Sequence, residues 1–275
     1  MQRSAGIVRP ARRPAGWRAP GPAPLARPDL LPGPDEDLCH LAGEWRIFQR
    51  RDGHRWSLDD LVTAWAAATW VTREPARILD LGCGIGSVLL LLAWRFPRAT
   101  LDGVEAQAVS VELARRSVAW NGVEARCEVH AGDLRETAPT GMDLVTGTPP
   151  YLSPGTARAS HRIQKGPCNF ELRGGIDAYC VAAARALDGD GLFVACEQDA
   201  QTPRVHAAAR AAGLSVVRSL PVVPRDGKAP LFSVHAMRPD PDASCEQLPA
   251  LVVRDRQGVR TPAFRALRAD MGMPP

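Results

Sequence analysis

A short apolar run, Arg77-Ile78-Leu79-Asp80-Leu81, ends on the glycine turn Gly82-Cys83-Gly84-Ile85-Gly86 and passes directly into the apolar stretch Ser87 to Phe96. A strand that turns so tightly into a helix must leave its backbone open to a close approach at the turn. The pattern then repeats. Ala99 to Val104 reads as a second strand, Gln107 to Asn121 as a helix and Ala125 to His130 as a third strand. Met142 to Val145 reads as a fourth. A helix within Phe170 to Leu187, a fifth strand at Gly191 to Cys196 and a helix at Thr202 to Ala212 follow. Alternation of this kind predicts an α/β fold with a mostly parallel sheet and helices on both faces. Leu214 to Val223 and Leu231 to Met237 are joined by the turn at Arg225-Asp226-Gly227, with no helix between them. That last pair is therefore expected to be antiparallel, which makes seven strands ending in an antiparallel hairpin.

Upstream, Trp45-Arg46-Ile47-Phe48-Gln49 alternates, Asp52-Gly53 marks a turn and a short strand to Trp56 is expected to complete a hairpin. Ser57-Leu58-Asp59-Asp60 resembles a helix start, with the helix running from Leu61 to Val71. Residues 1–34 hold six Arg, one acid and eight Pro, with no hydrophobic periodicity, which reads as a disordered basic arm. Four segments result: this arm, a lead-in of hairpin and helix over 35–74, the core domain over 75–238, and a polar tail over 239–275.

With 45% hydrophobic and 23% charged residues the chain has the balance of a globular protein. The apolar runs are too short for a membrane span, so no membrane partner is expected. The first residues lack the apolar core of a secretory signal, and the seven cysteines form no CxxC. Free thiols and a cytoplasmic location are the expectation. The six His are scattered without ligand spacing, so no metal is expected. The arm's surplus of Arg is compatible with a nucleic-acid partner.

In an open α/β sheet, ligands sit beyond the carboxyl ends of the strands. That rule gathers Asp80, Gly82, Cys83, Gly84, Gly86, Glu105, Asp133 and Leu134 at one rim as candidate cofactor residues. Glu105, ending the second strand, is placed to accept both hydroxyls of a ribose. Asp133 is placed to accept from an adenine amine, with Leu134 offering its backbone N–H. Ser87 stands where a dinucleotide fingerprint wants Gly or Ala, which points away from a nicotinamide cofactor.

The seven-stranded arrangement is that of the Rossmann-like class I methyltransferases that use S-adenosylmethionine. Leu79 to Ser87 with Thr148-Pro149-Pro150-Tyr151 resembles the members that act on exocyclic or amide nitrogens, whose signature is Asn-Pro-Pro-Tyr. Gly53 to Asp60 and Glu171 to Asp177 resemble the corresponding segments of the bacterial tRNA-valine adenine-N6 methyltransferases. The resemblance spans roughly residues 44–238.

It implies S-adenosylmethionine as cofactor, Asp60 as a further cofactor contact and RNA, tRNA foremost, as partner. In the mechanism it implies, the Asn side-chain oxygen and the first Pro carbonyl accept the two amine hydrogens, and the aromatic stacks on a flipped base. Here Thr148 stands at the Asn position, Pro149 and Pro150 follow, and Tyr151 keeps its ring. Arg158, Arg162, Lys165 and Arg173 are the expected substrate contacts on and beyond the loop after the fourth strand. A protein glutamine amide, a small-molecule amine, and a catalytically weakened RNA-binding relative are the alternatives.

Overall fold

Ile78, Leu79 and Leu81 are all wholly buried, as expected of a strand covered on both faces. A computed structural model describes residues 6–151 and 174–275 and places this strand at the centre of the sheet. The elements before it are β1 (Ile7–Val8), β2 (Glu36–His40), β3 (Arg46–Arg50) and α1 (Leu58–Trp70). The core continues through β4 (Arg77–Leu81), α2 (Ser87–Arg95), β5 (Thr100–Glu105), α3 (Ala108–Asn121), β6 (Cys127–Ala131), α4 (Leu134–Thr137) and β7 (Met142–Gly147). Then come α5 (Ile176–Ala186), β8 (Leu187–Gln198), α6 (Thr202–Ala211), β9 (Ser215–Val223) and β10 (Phe232–Arg238). The tail adds β11 (Glu246–Gln247), β12 (Leu251–Val252) and α7 (Pro262–Asp270).

The main sheet runs β11-β9-β10-β8-β7-β4-β5-β6. β4 to β8 pair in parallel, and β10 runs antiparallel to both β8 and β9. The seven expected strands are there, with β11 and β12 laid parallel to β9 at the edge. One apolar layer, built on α1, α2 and α3, covers one face, and a second, built on α5 and α6, covers the other. The carboxyl ends of β4, β5, β6 and β7 thus share one rim.

Two expectations need correction. The strand Arg46–Arg50 pairs with Glu36–His40 before it, not with residues after Asp52-Gly53. The segment after that turn is held by side chains instead. Gln49 Oε1 accepts the Trp56 N–H at 3.0 Å, and Arg55 reaches the buried Asp37 at 3.2 Å. Nor is the arm disordered over residues 6–34. β1 pairs with β2, the Pro22 carbonyl accepts from Trp45 Nε1 at 3.0 Å, and Arg9 bonds Asp37 at 2.8 Å. Gly21 lies so close on Trp94 that a Cβ there would stand 2.4 Å from the indole. A two-residue strand, one proline carbonyl, a glycine and an Arg side chain make these contacts, so no apolar periodicity announces them.

Deleting residues 1–34 would strip this cover from Trp45 and Trp94 and leave Asp37 with one cation fewer. The expected cost is about 2 kcal/mol, read as a melting temperature lower by roughly 5 °C. An unchanged melting curve would mean that the arm's contacts add nothing to stability.

Candidate functional site

β4 ends at Leu81, and the next three residues turn the chain across the rim. Gly82 has φ +59°, and a Cβ there would fall 2.1 Å from the Tyr179 hydroxyl oxygen, so both backbone and space demand glycine. Gly84 has φ +55° with no atom within 4 Å of a Cβ position, because that side opens on the cleft. Gly86, at φ +85°, is the N-cap of α2 and packs on Ala114.

Glu105 ends β5 beside this turn and is 7% exposed. Its Oε2 accepts the Gly84 N–H at 3.0 Å and its Oε1 the Gln107 N–H at 2.6 Å. The carboxylate is thereby aimed along the cleft wall before any ligand arrives. The cleft also takes in Gly82, Cys83, Asp60, Asp133, Leu134, Thr148 and Pro150. These expected residues come from five separate segments, and the fold brings them together.

Three expected cofactor or catalytic residues do not present their side chains to the cleft. Asp80 lies beneath the turn, 2% exposed, with Oδ2 accepting the Leu89 N–H at 3.1 Å and Oδ1 the Thr146 hydroxyl at 2.9 Å. It ties the first turn of α2 to β4 and β7, and burial pushes its carboxyl up to about 7. Gly86 shapes the helix start and does not line the cleft. Pro149 is buried within the turn.

Tyr151 also departs from expectation. Its hydroxyl donates to Asp59 Oδ2 at 3.1 Å and lies 3.1 Å from Cys196 Sγ. Its ring borders a neighbouring cavity, not the cleft that holds Thr148 and Pro150. Burial drives its phenol well above the ordinary range, so it stays neutral. Arg158, Arg162, Lys165 and Arg173 lie outside the described residues.

The sequence reading missed His54, Ser87, Gln107 and Tyr179, all of which line the cleft. Tyr179 carried the one usable signal, being one of just two tyrosines in the chain.

Three carboxyl groups, Asp60, Glu105 and Asp133, line the cleft in different states. Asp60, 4% exposed, accepts the Ser57 N–H at 2.8 Å. Burial, then the charge of Asp59, pushes its carboxyl up to about 8, against hydrogen bonds from Ser57 and Ser87. Asp133 is paired with Arg135 at 2.6 Å. Burial first, then Asp80 and Glu105, raises the Cys83 thiol far above its usual range, which leaves it a packing group. Glu105 suits a diol, and a ligand that brings positive charge would draw the neighbouring Asp60 into its ionised form. S-adenosylmethionine has both features, and the open face at Gly84 leaves room for close backbone approach.

Asp102, Glu128 and His130 converge across β5 and β6, with His130 Nε2 2.7 Å from Asp102 Oδ1. This grouping was not legible as a spacing because it spans two strands. No helix among the described residues is long and apolar enough to cross a membrane.

Known proteins place these features in context. The methyltransferase small domain family matches residues 60–167. A tRNA1(Val) (adenine(37)-N6)-methyltransferase of Cronobacter sakazakii is 27% identical over 75% of this chain and 83% of its own length. A counterpart in Dickeya chrysanthemi is 35% identical over 45% of this chain and 50% of its own. The ribosomal protein uL3 glutamine methyltransferase of Bradyrhizobium diazoefficiens is 40% identical over 28% of this chain and 24% of its own. In these last two the match spans half of the relative or less. A solved structure described as a predicted O-methyltransferase from Agrobacterium tumefaciens superposes with a TM-score of 0.61. It covers 78% of this chain and 98% of its own at 20% identity, which speaks for the fold.

Proposed function

We propose that this chain, which belongs to the class I S-adenosylmethionine-dependent methyltransferases, methylates the exocyclic N6 amine of an adenine in RNA, tRNA foremost, in the cytoplasm. One observation carries the reading. The turn Thr148-Pro149-Pro150-Tyr151 leaves β7 at the rim, and its Thr148 and Pro150 share a cleft with Asp60 and Glu105. The bound cofactor supplies an electrophilic methyl on a positively charged sulfur.

The chain's own residues have two tasks. Glu105 holds the ribose hydroxyls and Asp60 faces the cationic end, while Asp133 and Leu134 hold the adenine. Thr148 accepts one amine hydrogen through its hydroxyl, and the Pro149 carbonyl accepts the other. Fixing both hydrogens draws the nitrogen lone pair out of conjugation and aims it. The chemistry is positioning and electrostatic preorganisation, and no strong base is needed.

The two tRNA relatives named above support the adenine reading. A second reading, methylation of a protein glutamine amide, draws on the 40% identity over 79 residues to the uL3 enzyme. Labelled methyl transfer to total RNA, followed by nucleoside mass analysis, separates the two. N6-methyladenosine is expected, and label found in protein alone would overturn the adenine reading. Thr148→Val keeps the shape and removes the hydroxyl acceptor. It is expected to lower kcat about tenfold with little change in KM, since the contact tightens in the transition state. Thr148→Asn is expected to retain activity or raise it. Equal turnover in Thr148→Val would remove the hydroxyl from the mechanism.

A further inference from the structure

β8 runs parallel to β7, so its last residue, Gln198, reaches the same rim as the Thr148 turn. β10 is antiparallel and begins there, with Phe232 paired to Gln198 on one side and to Val222 on the other. The β9–β10 turn, residues 224–231, therefore stands on the ligand-binding rim and not at the opposite end of the sheet. A cavity of about 440 Å³ lies under it. Leu58, Asp59, Tyr151, Gln198, Leu231 and Phe232 line that cavity. Tyr151 separates it from the Thr148 side of the turn, and the bond from its hydroxyl to Asp59 fixes the ring as a wall.

Three properties of this corner match one ligand chemistry. Leu231 is a large apolar side chain left 59% exposed at the cavity, beside the Tyr151 ring and above the buried Phe232. An exposed aliphatic side chain facing an aromatic ring can hold a planar base between them. Gln198 offers an amide and Asp59 a carboxylate, so donor and acceptor are both at hand to read a base edge. Arg225 and Lys228 on the turn are exposed and have no ion pair with another described residue. The turn's single acid, Asp226, is paired off to Arg256 at 3.0 Å. The turn is left cationic, as phosphate contacts require.

We infer that the β9–β10 turn and the end of β8 form the acceptor-recognition corner. Gln198 and Leu231 receive a nucleobase next to the target adenine, which itself lies at Thr148 on the other side of Tyr151, and Arg225 and Lys228 receive the flanking phosphates. The inference rests on the RNA reading above and adds residues that the methylating turn does not contain. The cavity's size is in the range of small-ligand pockets, which suits one extruded nucleotide.

The test uses the full chain, unmodified bulk tRNA as acceptor and labelled S-adenosylmethionine as donor. The Arg225→Ala/Lys228→Ala double variant is expected to raise KM for tRNA roughly tenfold. Its salt slope of tRNA binding should fall by about one for each cation removed, with cofactor affinity and melting temperature unchanged. Gln198→Leu is expected to lower kcat/KM at least about tenfold while keeping the salt slope, because it removes edge reading and not phosphate contact. Wild-type KM and salt slope in the double variant, with full turnover in Gln198→Leu, would overturn the corner and leave the RNA reading standing. Transfer by the wild-type enzyme to a protein glutamine and none to tRNA would overturn both.

Discussion

In the Glu105→Ala variant, affinity for S-adenosylmethionine is expected to fall about 30-fold, which is roughly 2 kcal/mol. The carboxylate is held in place by the N–H groups of Gly84 and Gln107, so it meets a ribose without further ordering. Truncation removes a charged acceptor for the hydroxyls and loosens the turn that the ligand must lie against. Gly84 opens on the cleft, so its released N–H can turn to water and the fold is expected to survive. Titration calorimetry reads the loss directly. Unchanged affinity in a variant with a normal melting curve would remove Glu105 from the cofactor site.

Asp60→Asn is expected to act in opposite directions on stability and on binding. The carboxyl is buried among Ser57, Asp59, Ser87 and Asp80, and burial and the charge of Asp59 push it up to about 8. In the unfolded chain it ionises near its ordinary value of 3.8. Between those two values the unfolded state releases the proton and the folded state keeps it. Folding stability therefore falls as pH rises from about 4 to about 8, by on the order of a few kcal/mol at the top of that window. Asparagine does not titrate and escapes the loss. Its melting temperature should match the wild type near pH 4 and exceed it increasingly up to pH 8.

Cofactor binding should show the reverse. A cation in the cleft favours the ionised carboxylate, so wild-type affinity should rise as pH climbs toward 8, with a proton released on binding below that point. Asp60→Asn should lose roughly tenfold in affinity at pH 8 together with Asp60's share of that proton release. Calorimetry in buffers of different ionisation enthalpy measures the protons. Parallel melting curves for the two proteins across pH would show that burial of Asp60 carries no penalty.

Much of this site could be read from residues alone because β4 and β5 are short and are punctuated by glycine or acid at their ends. Their period and their punctuation place Gly82, Gly84 and Glu105 at one rim before any coordinates are considered. Asp60 and Thr148 entered through resemblance, from segments on either side of that core. Asp80 misled for an identifiable reason. It follows a strand's apolar centre just as Glu105 does, but it stands one residue before the strand's end, and in β4 that residue is covered on both faces. Tyr151 misled because a side chain's direction beyond a proline pair depends on what neighbours offer. Here Asp59 and Cys196 offer partners for the hydroxyl from α1 and β8, which are distant in sequence.

The chain's sequence by itself determined the order of the seven strands β4 to β10, the antiparallel β9–β10 pair and the gathering of carboxyl groups at the rim, since these follow from local periodicity and from turn residues. Tertiary structure alone decided that residues 6–34 lie along the domain, that β3 pairs backward with β2, and that Tyr179 closes on Gly82 while Tyr151 turns away from the cleft. Those outcomes rest on contacts between backbone carbonyls, glycines and single side chains separated by tens of residues. Such contacts have no period along the chain, and they form only where packing brings their partners within reach.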